Sequence, residues 1–388
     1  MFRSNVLTSA ACLVLLLTAA TVRAEYPTTT IFRSGDNGYK VFRIPAVIAA
    51  ANGDLLAFAE ARQGGDASEI DLVQKTSLDG GKTWGELVVI QESDHFRSLF
   101  ADDAPAITIG NPAPVVDLLN EKHPGRIWLP FTLENDRVFV VYSDDHGKQW
   151  SERREITQSV KKEEWGWYAT GPVQSIQIQN GPHRGRLVIP ADHRLGDDGK
   201  DRGALGAHLV YSDDHGQSWE IGAIDDDYED TMDSNETAVV ELSDGTLYIN
   251  TRDQHGKAPG TRGEAWSRDG GLTFESRHDQ YPHFRPTAEV LDPPVVQCGL
   301  LRTVGDVVVF SGPDDNGPSG TGRSDLRLRF SRAGADDWQD GPLVHTGPAA
   351  YSGMVQIDYK HIGVIYEAGS KSPYESIRFS IVPVAEFQ

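Results

Sequence analysis

The chain has little of what several protein classes require. It has only 2 cysteines and 3 methionines among 388 residues, so no network of disulfides stabilises it. Basic residues are scarce: 36 Lys and Arg stand against 57 Asp and Glu, and the formal net charge of −21 argues against a nucleic-acid binder. Glycine and proline are plentiful, with 39 and 21 residues, and together with the aromatics they favour turn-rich β structure.

The first 24 residues have the composition of a secretory signal peptide. Arg3 precedes a mainly apolar run over 7–22, and Val-Arg-Ala at 22–24 supplies small residues for cleavage. A membrane anchor is the alternative interpretation, but the run is short for a spanning helix, and no later run approaches that length. We therefore expect a signal peptide over 1–24 and a single domain over 25–388, secreted or periplasmic, without an anchor after cleavage. That domain would keep one cysteine, Cys298.

An eight-residue motif with Ser, Asp, Gly and a final aromatic recurs along the chain. Four copies occupy 77–84, 143–150, 212–219 and 267–274, and a degenerate fifth occupies 331–338. The aspartate can accept backbone N–H groups across a tight turn, the glycine permits a positive φ, and the aromatic can pack the turn onto the sheet below. Strand-like apolar runs precede the copies, so the motif predicts a hairpin turn repeated once per sheet.

The spacing of the copies sets the architecture. They start 55 to 69 residues apart, so the chain accommodates about six small sheets. We predict an all-β fold, a six-bladed β-propeller of four-stranded antiparallel sheets, with a β-sandwich of the same hairpins as the alternative. A calcium loop is the other interpretation of the motif, but its distal hydroxyl and aromatic residues do not suit metal coordination.

Several arginines stand in apolar surroundings. Arg43 lies in Phe-Arg-Ile-Pro ahead of an apolar run, Arg62 ends a second such run, and Arg252 ends a third. A guanidinium in such a setting must pair with a carboxylate or bind an anion. Ion pairing explains any one of them equally well, but several together in a strongly acidic chain favour an anion site.

Phe-Arg-Ile-Pro near the N-terminus, followed by at least four of the repeated motifs, resembles the exo-alpha-sialidases, the retaining neuraminidases of bacteria and animals. The resemblance extends from about residue 30 to the C-terminus. It implies hydrolysis of terminal alpha-linked sialic acids on glycans, glycoproteins or gangliosides, without a metal or an organic cofactor. Oligomeric state and linkage preference stay open.

The resemblance implies three catalytic residues. Asp66, on a Gly-Gly-Asp loop, matches the general acid/base, Tyr351 matches the nucleophile, and Glu236 matches the base beside it. Glu69 and Asp71 compete with Asp66 as nearby acids. A tyrosine suits this chemistry because sialic acid carries a carboxylate on its anomeric carbon, which would repel an anionic nucleophile; sialidases are known for this departure from the usual two carboxylates.

The resemblance also implies a triad of arginines that binds the sialic acid carboxylate with charge-assisted hydrogen bonds. Arg43, Arg252 and Arg323 match its members, and Arg327 and Arg329 are alternatives for the third. Further matches orient the first arginine or contact other parts of the sugar: Glu367, Glu60, Arg62, Asn111, and either Asp192 or His193. A cluster of three aromatic residues could line a pocket or form a packed loop: Trp165, Trp167 and Tyr168.

Two other functions stay open at this point. A non-catalytic propeller that binds sialylated glycans could keep the arginines, but it would usually lose the acid, the tyrosine or the glutamate. A trans-sialidase or an anhydro-forming sialidase would use the same residues and differ in the loops on the acceptor side.

Overall fold

The computed structural model describes residues 26–101, 106–196, 203–255 and 258–388. Within these ranges nearly all regular structure is β-strand, arranged as six antiparallel sheets that form the blades of a propeller. The predicted six-bladed propeller is confirmed, and the β-sandwich alternative is wrong. The expected signal peptide over 1–24 lies outside the described residues and stays a prediction.

The first strand in the described ranges, β1 (Thr28–Arg33), is followed by three complete blades. Their strands run from the axis outward. Blade 1 consists of β2 (Val41–Ala49), β3 (Leu55–Arg62), β4 (Ile70–Ser77) and β5 (Val88–Gln91). Blade 2 consists of β6 (Ile109–Gly110), β7 (Val115–Asp117), β8 (Arg126–Leu133), β9 (Arg137–Ser143) and β10 (Arg154–Glu155). Blade 3 consists of β11 (Trp165–Thr170), β12 (Ile176–Gln177), β13 (Leu187–Leu195), β14 (Leu205–Ser212) and β15 (Glu220–Ile224). Blades 2 and 3 have five strands instead of the expected four, because the innermost strand of each is split in two.

The last three blades keep the four-stranded pattern. Blade 4 consists of β16 (Ser234–Glu241), β17 (Leu247–Asp253), β18 (Arg262–Ser267) and β19 (Arg285–Pro286). Blade 5 consists of β20 (Gly299–Arg302), β21 (Val308–Pro313), β22 (Leu326–Ser331) and β23 (Gln339–Leu343). Blade 6 contains β24 (Ala349–Gln356), β25 (His361–Ala368) and β26 (Ser376–Pro383). Strand β1 pairs with β26 as the outer strand of blade 6. This pairing closes the ring, and because no hairpin joins β26 to β1, six blades need only five repeated turns.

Helical structure in the described ranges is limited to one short α-helix, α1 (Thr157–Val160), and four 3-10 turns. These turns are Asp36–Gly38, Ser93–Leu99, Pro373–Glu375 and Val384–Phe387. None of these helices has the length and apolarity that crossing a membrane would require.

Each repeated motif forms the turn between the third and fourth strands of a blade. In the first copy, Asp79 accepts hydrogen bonds from the backbone N–H of Thr83 at 2.9 Å and from its hydroxyl at 2.7 Å. The Ser77 hydroxyl donates to Asp79 and accepts from the backbone N–H of Gly81. The carboxylate is therefore occupied by donors of its own turn, as the hairpin interpretation predicts, which leaves the calcium interpretation without support.

The degenerate fifth copy reaches the same geometry with its groups exchanged. Where the other copies have aspartate, this one has Ala333, and Asp337 at the far end of the turn takes over the carboxylate role. Asp337 accepts from the Ser331 hydroxyl at 2.5 Å and from the backbone N–H groups of Arg332 and Ala333, both at 2.9 Å. A carboxylate on either side of the loop can therefore close it.

The aromatic residues of the motifs pack against the neighbouring blade, and not, as expected, only onto their own sheet. Trp150 of blade 2 contacts Phe58 of blade 1, with ring centres 6.0 Å apart, and its indole N–H donates to Gln74. Trp84 of blade 1 contacts Phe379 of blade 6, at 5.3 Å. The motif thus joins consecutive blades as well as turning the chain, because its aromatic ring fills the apolar space between two sheets.

Candidate active site

The inner strands of three blades are irregular where the sequence-predicted site residues lie. Strand pairing shifts register within 43–46 of β2, 234–237 of β16 and 349–352 of β24. A β-bulge breaks the strict alternation of side chains and redirects them. Because these three bulges contain Arg43, Glu236 and Tyr351, residues from blades 1, 4 and 6 converge on one site.

The site lies at the end of the propeller opposite to the repeated turns. Arg62 and Arg252 stand at or near the ends of β3 and β17, the second strands of their blades. Repeated turns follow third strands, which run antiparallel to the second strands. The two features therefore occupy opposite ends of each sheet.

Tyr351, Glu236 and Arg252 form a hydrogen-bonded group. The Tyr351 hydroxyl donates to Glu236 Oε1, and Arg252 Nη1 donates to Glu236 Oε2 at 2.6 Å and to the Tyr351 oxygen at 3.4 Å. Burial raises the pKa of Tyr351 well above its usual value, and the charge of Glu236 raises it further, while Arg252 and Arg43 act in the opposite direction. The phenol therefore holds its proton until a base removes it, and Glu236 is already in contact with that proton.

Glu367 connects the first arginine to the tyrosine. Its Oε1 accepts from Arg43 Nε at 2.5 Å and from the backbone N–H of Ile44 at 3.0 Å, and its Oε2 accepts from the backbone N–H of Tyr351 at 3.2 Å. Ile44 has a φ of 54°, a costly conformation for a β-branched residue. Burial alone would lower the pKa of Arg43, but the charge of Glu367 raises it, so the guanidinium stays charged in the interior.

Arg323 approaches the same tyrosine, and in the described ranges its hydrogen bonds go to neutral groups. Its Nη1 donates to the Tyr374 hydroxyl at 2.9 Å and its Nη2 to the carbonyl of Val295 at 3.0 Å, both uncharged oxygens. Arg43 and Arg252 have ion pairs, but within the described parts of the chain none is found for Arg323. The guanidinium carbons of Arg43 and Arg323 lie 5.1 Å and 5.7 Å from the ring centre of Tyr351. The three arginines thus meet at one phenol.

Arg62 binds two of the expected acids. Its Nε donates to Glu60 Oε2 at 2.8 Å, and its Nη1 donates to Asp66 Oδ1. Burial alone would raise the pKa of Asp66, but the hydrogen bond and charge of Arg62 lower it below the usual value, and Arg43 and Arg323 lower it further. Asp66 itself is exposed on its loop. Glu60 Oε1 accepts the backbone N–H of Asn111 at 2.7 Å, which joins blade 2 to this group.

A cavity of about 240 Å³ opens beside these groups. Its lining is mostly polar, and Tyr351 and Trp167 contribute aromatic side chains to it. Polar residues that line it are Glu60, Arg62, Asp66, Thr108, Asn111, Thr132, Asn135, Arg194, Asn235, Glu236, Arg252 and Gln254. A cavity of this size with acids, cations and a phenol can hold one small anionic ring.

Asp192 does not line this cavity, contrary to the expectation of a direct sugar contact. Its side chain is fully buried, and its Oδ2 accepts from the side-chain amide of Asn235 at 2.6 Å. Burial, and then the charge of Glu236, raise its pKa well above the usual value. His193, the alternative, stacks on Trp165 with ring centres 3.9 Å apart and contacts the Tyr228 hydroxyl. Asn235 is the residue that faces the cavity.

Three of the competing residues do not line the cavity: Arg327, Arg329 and Asp71. Arg327 pairs with Asp314, and Arg329 pairs with Asp292 in the segment between β19 and β20, each at 2.5 Å. Asp71 accepts from the Tyr39 hydroxyl and from the backbone N–H of a neighbouring loop, as expected for a residue that serves its own blade. Of the aromatic cluster, Trp167 lines the cavity, whereas its two neighbours are buried in the blade.

Sequence reasoning missed some residues that the structure brings to the site. Tyr374 contacts Arg43 and Arg323, and Asn235 and Gln254 line the cavity. Asn235 stands next to Glu236 and could have been found from that position, but Tyr374 carries no motif signal. No group of three or more His, Cys, Asp and Glu in the described ranges is arranged to hold a metal ion.

Residues 53–363 match a protein-family model described as BNR repeat-like domain, and the repeated motif of this chain corresponds to the BNR repeat. The chain belongs to this family. The expected resemblance to sialidases is confirmed by curated relatives. A sialidase of Micromonospora viridifaciens is 28% identical over 375 residues, covering 89% of this chain and 53% of the relative. Sialidase-2 of Mus musculus is 26% identical, covering 91% of this chain and 94% of the relative.

Solved structures agree on the fold. The Hadza microbial sialidase Hz136 is 26% identical, with a TM-score of 0.75, over 92% of this chain and 68% of that one. A leech intramolecular trans-sialidase superposes with a TM-score of 0.73 over 94% of this chain and 71% of that one; at 18% identity it shows the shared fold alone. The chain spans between 53% and 61% of the length of the first curated relatives that it matches.

Proposed function

We propose that this protein is an exo-alpha-sialidase that removes terminal alpha-linked sialic acids from glycoconjugates with retention, through a covalent tyrosyl intermediate. The observation that carries the proposal is the contact of Tyr351 with its base, Glu236, at the point where three arginines meet. The BNR-repeat family and the sialidase relatives support the reaction class.

We base substrate binding on Arg323, whose hydrogen bonds in the described parts of the chain go to uncharged oxygens. A sugar carboxylate would form an ion pair with it and accept further charge-assisted hydrogen bonds from Arg43 and Arg252. This local cluster explains how a chain of net charge −21 captures an anion, since contacts at hydrogen-bond distance outweigh screened repulsion from distant surface charges. The clamp would set the anomeric carbon against the phenol oxygen.

In the first chemical step the Tyr351 oxygen attacks the anomeric carbon and its proton passes to Glu236. The bond from that carbon to the leaving oxygen breaks, and Asp66 donates the proton that the leaving group requires. In the second step Asp66 takes a proton from water, the water oxygen bonds to the anomeric carbon, and Tyr351 leaves and recovers its proton from Glu236. Two displacements at one carbon give net retention.

Asp66 needs help to become an acid, because Arg62, Arg43 and Arg323 lower its pKa in the free protein. A bound carboxylate would neutralise part of that positive charge and exclude water, and both changes raise a carboxyl pKa. Substrate binding would thus raise the pKa of Asp66, so that Asp66 becomes protonated more readily once the substrate carboxylate is bound to the arginines.

The test is incubation with an aryl alpha-sialoside, with the first sugar product followed by proton NMR. Release of the alpha anomer before mutarotation supports the proposal. Release of the beta anomer overturns the tyrosyl mechanism, and binding without turnover indicates the non-catalytic alternative. A 2,7-anhydro product or transfer to an added galactoside would indicate the trans-sialidase alternative.

Export is proposed on the predicted signal peptide, and it is tested by fractionating cells that express the full chain.

A further inference from the structure

Tyr374 contacts two of the three clustered arginines in different ways. Its hydroxyl accepts a hydrogen bond from Arg323 Nη1 at 2.9 Å, and its ring face lies 4.1 Å from the guanidinium carbon of Arg43. A guanidinium over an aromatic face is attracted by the ring's quadrupole. One side chain therefore spans a pair of cations that would otherwise repel each other.

The turn that carries Tyr374 is fixed before any ligand arrives. It is the 3-10 turn Pro373–Glu375 between β25 and β26, where Ser372 and Glu375 form a capping box. The Glu375 carboxylate accepts hydrogen bonds from backbone N–H groups, and these hydrogen bonds lower its pKa to about 2. The Ser34 hydroxyl donates to the Tyr374 carbonyl at 2.7 Å and ties the turn to the first strand's end. A side chain on such a braced turn can orient its neighbours.

Arg323 depends on this contact more than the other two arginines do. Glu367 fixes Arg43 and Glu236 fixes Arg252, but in the described ranges Arg323 is held only by the Tyr374 hydroxyl and the Val295 carbonyl. Because a phenol has one proton and accepts from Arg323, that proton stays available for an anion placed between the arginines.

We propose that Tyr374 is a positioning residue of the carboxylate site, which holds Arg323 through its hydroxyl and Arg43 through its ring, and which offers its O–H to the carboxylate. The proposal rests on the proposed function, because it takes the bound anion to be the carboxylate of a sialic acid. It predicts that the two contacts can be removed separately.

The experiment compares Tyr374→Phe, which loses only the hydroxyl contact, with Tyr374→Leu, which also loses the ring face. Tyr359→Phe is the matched control, since Tyr359 is exposed on the turn at the opposite end of blade 6. For Tyr374→Phe we expect KM to rise about tenfold with kcat nearly unchanged, which corresponds to about 1.4 kcal/mol. For Tyr374→Leu we expect a further rise in KM and a fall in kcat, because Arg43 loses its support.

A second readout separates positioning from a general structural role. Inhibition by free sialic acid is compared with inhibition by its methyl ester in each variant, and unfolding temperatures are measured alongside. Tyr374→Phe should reduce the preference for the free acid about tenfold at an unchanged unfolding temperature. If its KM and its acid-to-ester preference stay within twofold of the parent, the proposal is wrong. If the parent protein itself neither cleaves nor binds sialosides, it is the proposed function that fails.

Discussion

The Tyr351 hydroxyl donates its hydrogen bond to Glu236 although 115 residues separate the two in the chain. One residue belongs to blade 6 and the other to blade 4, and each lies in a bulge of an inner strand. The same glutamate binds Arg252 at 2.6 Å, so it faces a proton donor and a fixed cation together. Tyr351, as the proposed nucleophile with a pKa raised by burial, would need this arrangement, because its proton can leave only to a neighbour already in contact.

Replacing Tyr351 with phenylalanine removes the proposed nucleophile and leaves the arginines in place. We expect kcat for an aryl sialoside to fall about a thousandfold, while free sialic acid still binds with an affinity within a few-fold of the parent. Steady-state kinetics and calorimetric binding check the two parts.

Tyr366→Phe is the matched control for this variant. Tyr366 is also buried, but its hydroxyl contacts Ser380 in the core of blade 6. Loss of that hydroxyl should lower stability by about 1 kcal/mol and leave kcat unchanged. Near-normal turnover in the Tyr351 variant would refute the assignment of the nucleophile.

If the proposed mechanism is correct, the pH profiles of kcat/KM and of kcat should differ in their alkaline limbs. The profile of kcat/KM reports the free protein, in which Arg62 lowers the pKa of Asp66. The profile of kcat reports the complex, in which a bound carboxylate would offset that charge. We therefore expect the limb of kcat to lie about one pH unit or more above that of kcat/KM. Coincident limbs would show that substrate does not prepare the acid.

The blade count could be predicted from the sequence because the repeated motif performs the same local task in each copy. Ser, Asp and Gly close a turn through contacts within eight residues, so periodicity alone reveals the hairpins. The split inner strands of blades 2 and 3 left no such signal. Neither did the packing of Trp150 on blade 1, because that contact depends on how two sheets meet.

The site was predictable only as far as motifs reach. Arg43 and Asp66 stand in short local patterns, and the structure brings them to one place. Tyr374 was missed because its task depends on two arginines that are distant in sequence. Asp192 was misplaced because strand position alone cannot tell a side chain that lines a cavity from one buried behind Asn235.

Buried histidines make stability depend on pH. Burial lowers the pKa of His193 to about 3, whereas in the unfolded chain it lies near 6.5. Below about pH 6.5 His193 therefore takes up a proton in the unfolded chain but not in the folded one, and the free energy of unfolding falls as pH falls towards 3. From pH 7 to pH 5 this residue alone should remove about 2 kcal/mol.

The measurement is the difference in the free energy of unfolding between pH 7 and pH 5, taken from urea titrations. His193→Gln should reduce that difference by about 2 kcal/mol relative to the parent, whatever the variant's absolute stability. Tyr359→Phe, a change at an exposed position that removes no imidazole, should leave the difference unchanged. An equal pH response in the parent and His193→Gln would contradict the assignment of a neutral buried imidazole.

The fifth repeated turn allows a test within a pair of adjacent aspartates. Asp337 accepts three hydrogen bonds of the turn. Asp336 is exposed and pairs with Arg277 at 3.9 Å. Asp337→Ala should lower the free energy of unfolding by about 1 kcal/mol, because the N–H groups of Arg332 and Ala333 lose their acceptor, and Asp336→Ala should change it little. Both variants should keep the parent's KM, since the turn lies at the end of the blade away from the site. Equal destabilisation by the two would mean that the turn is closed by the surrounding packing and not by the exchanged carboxylate.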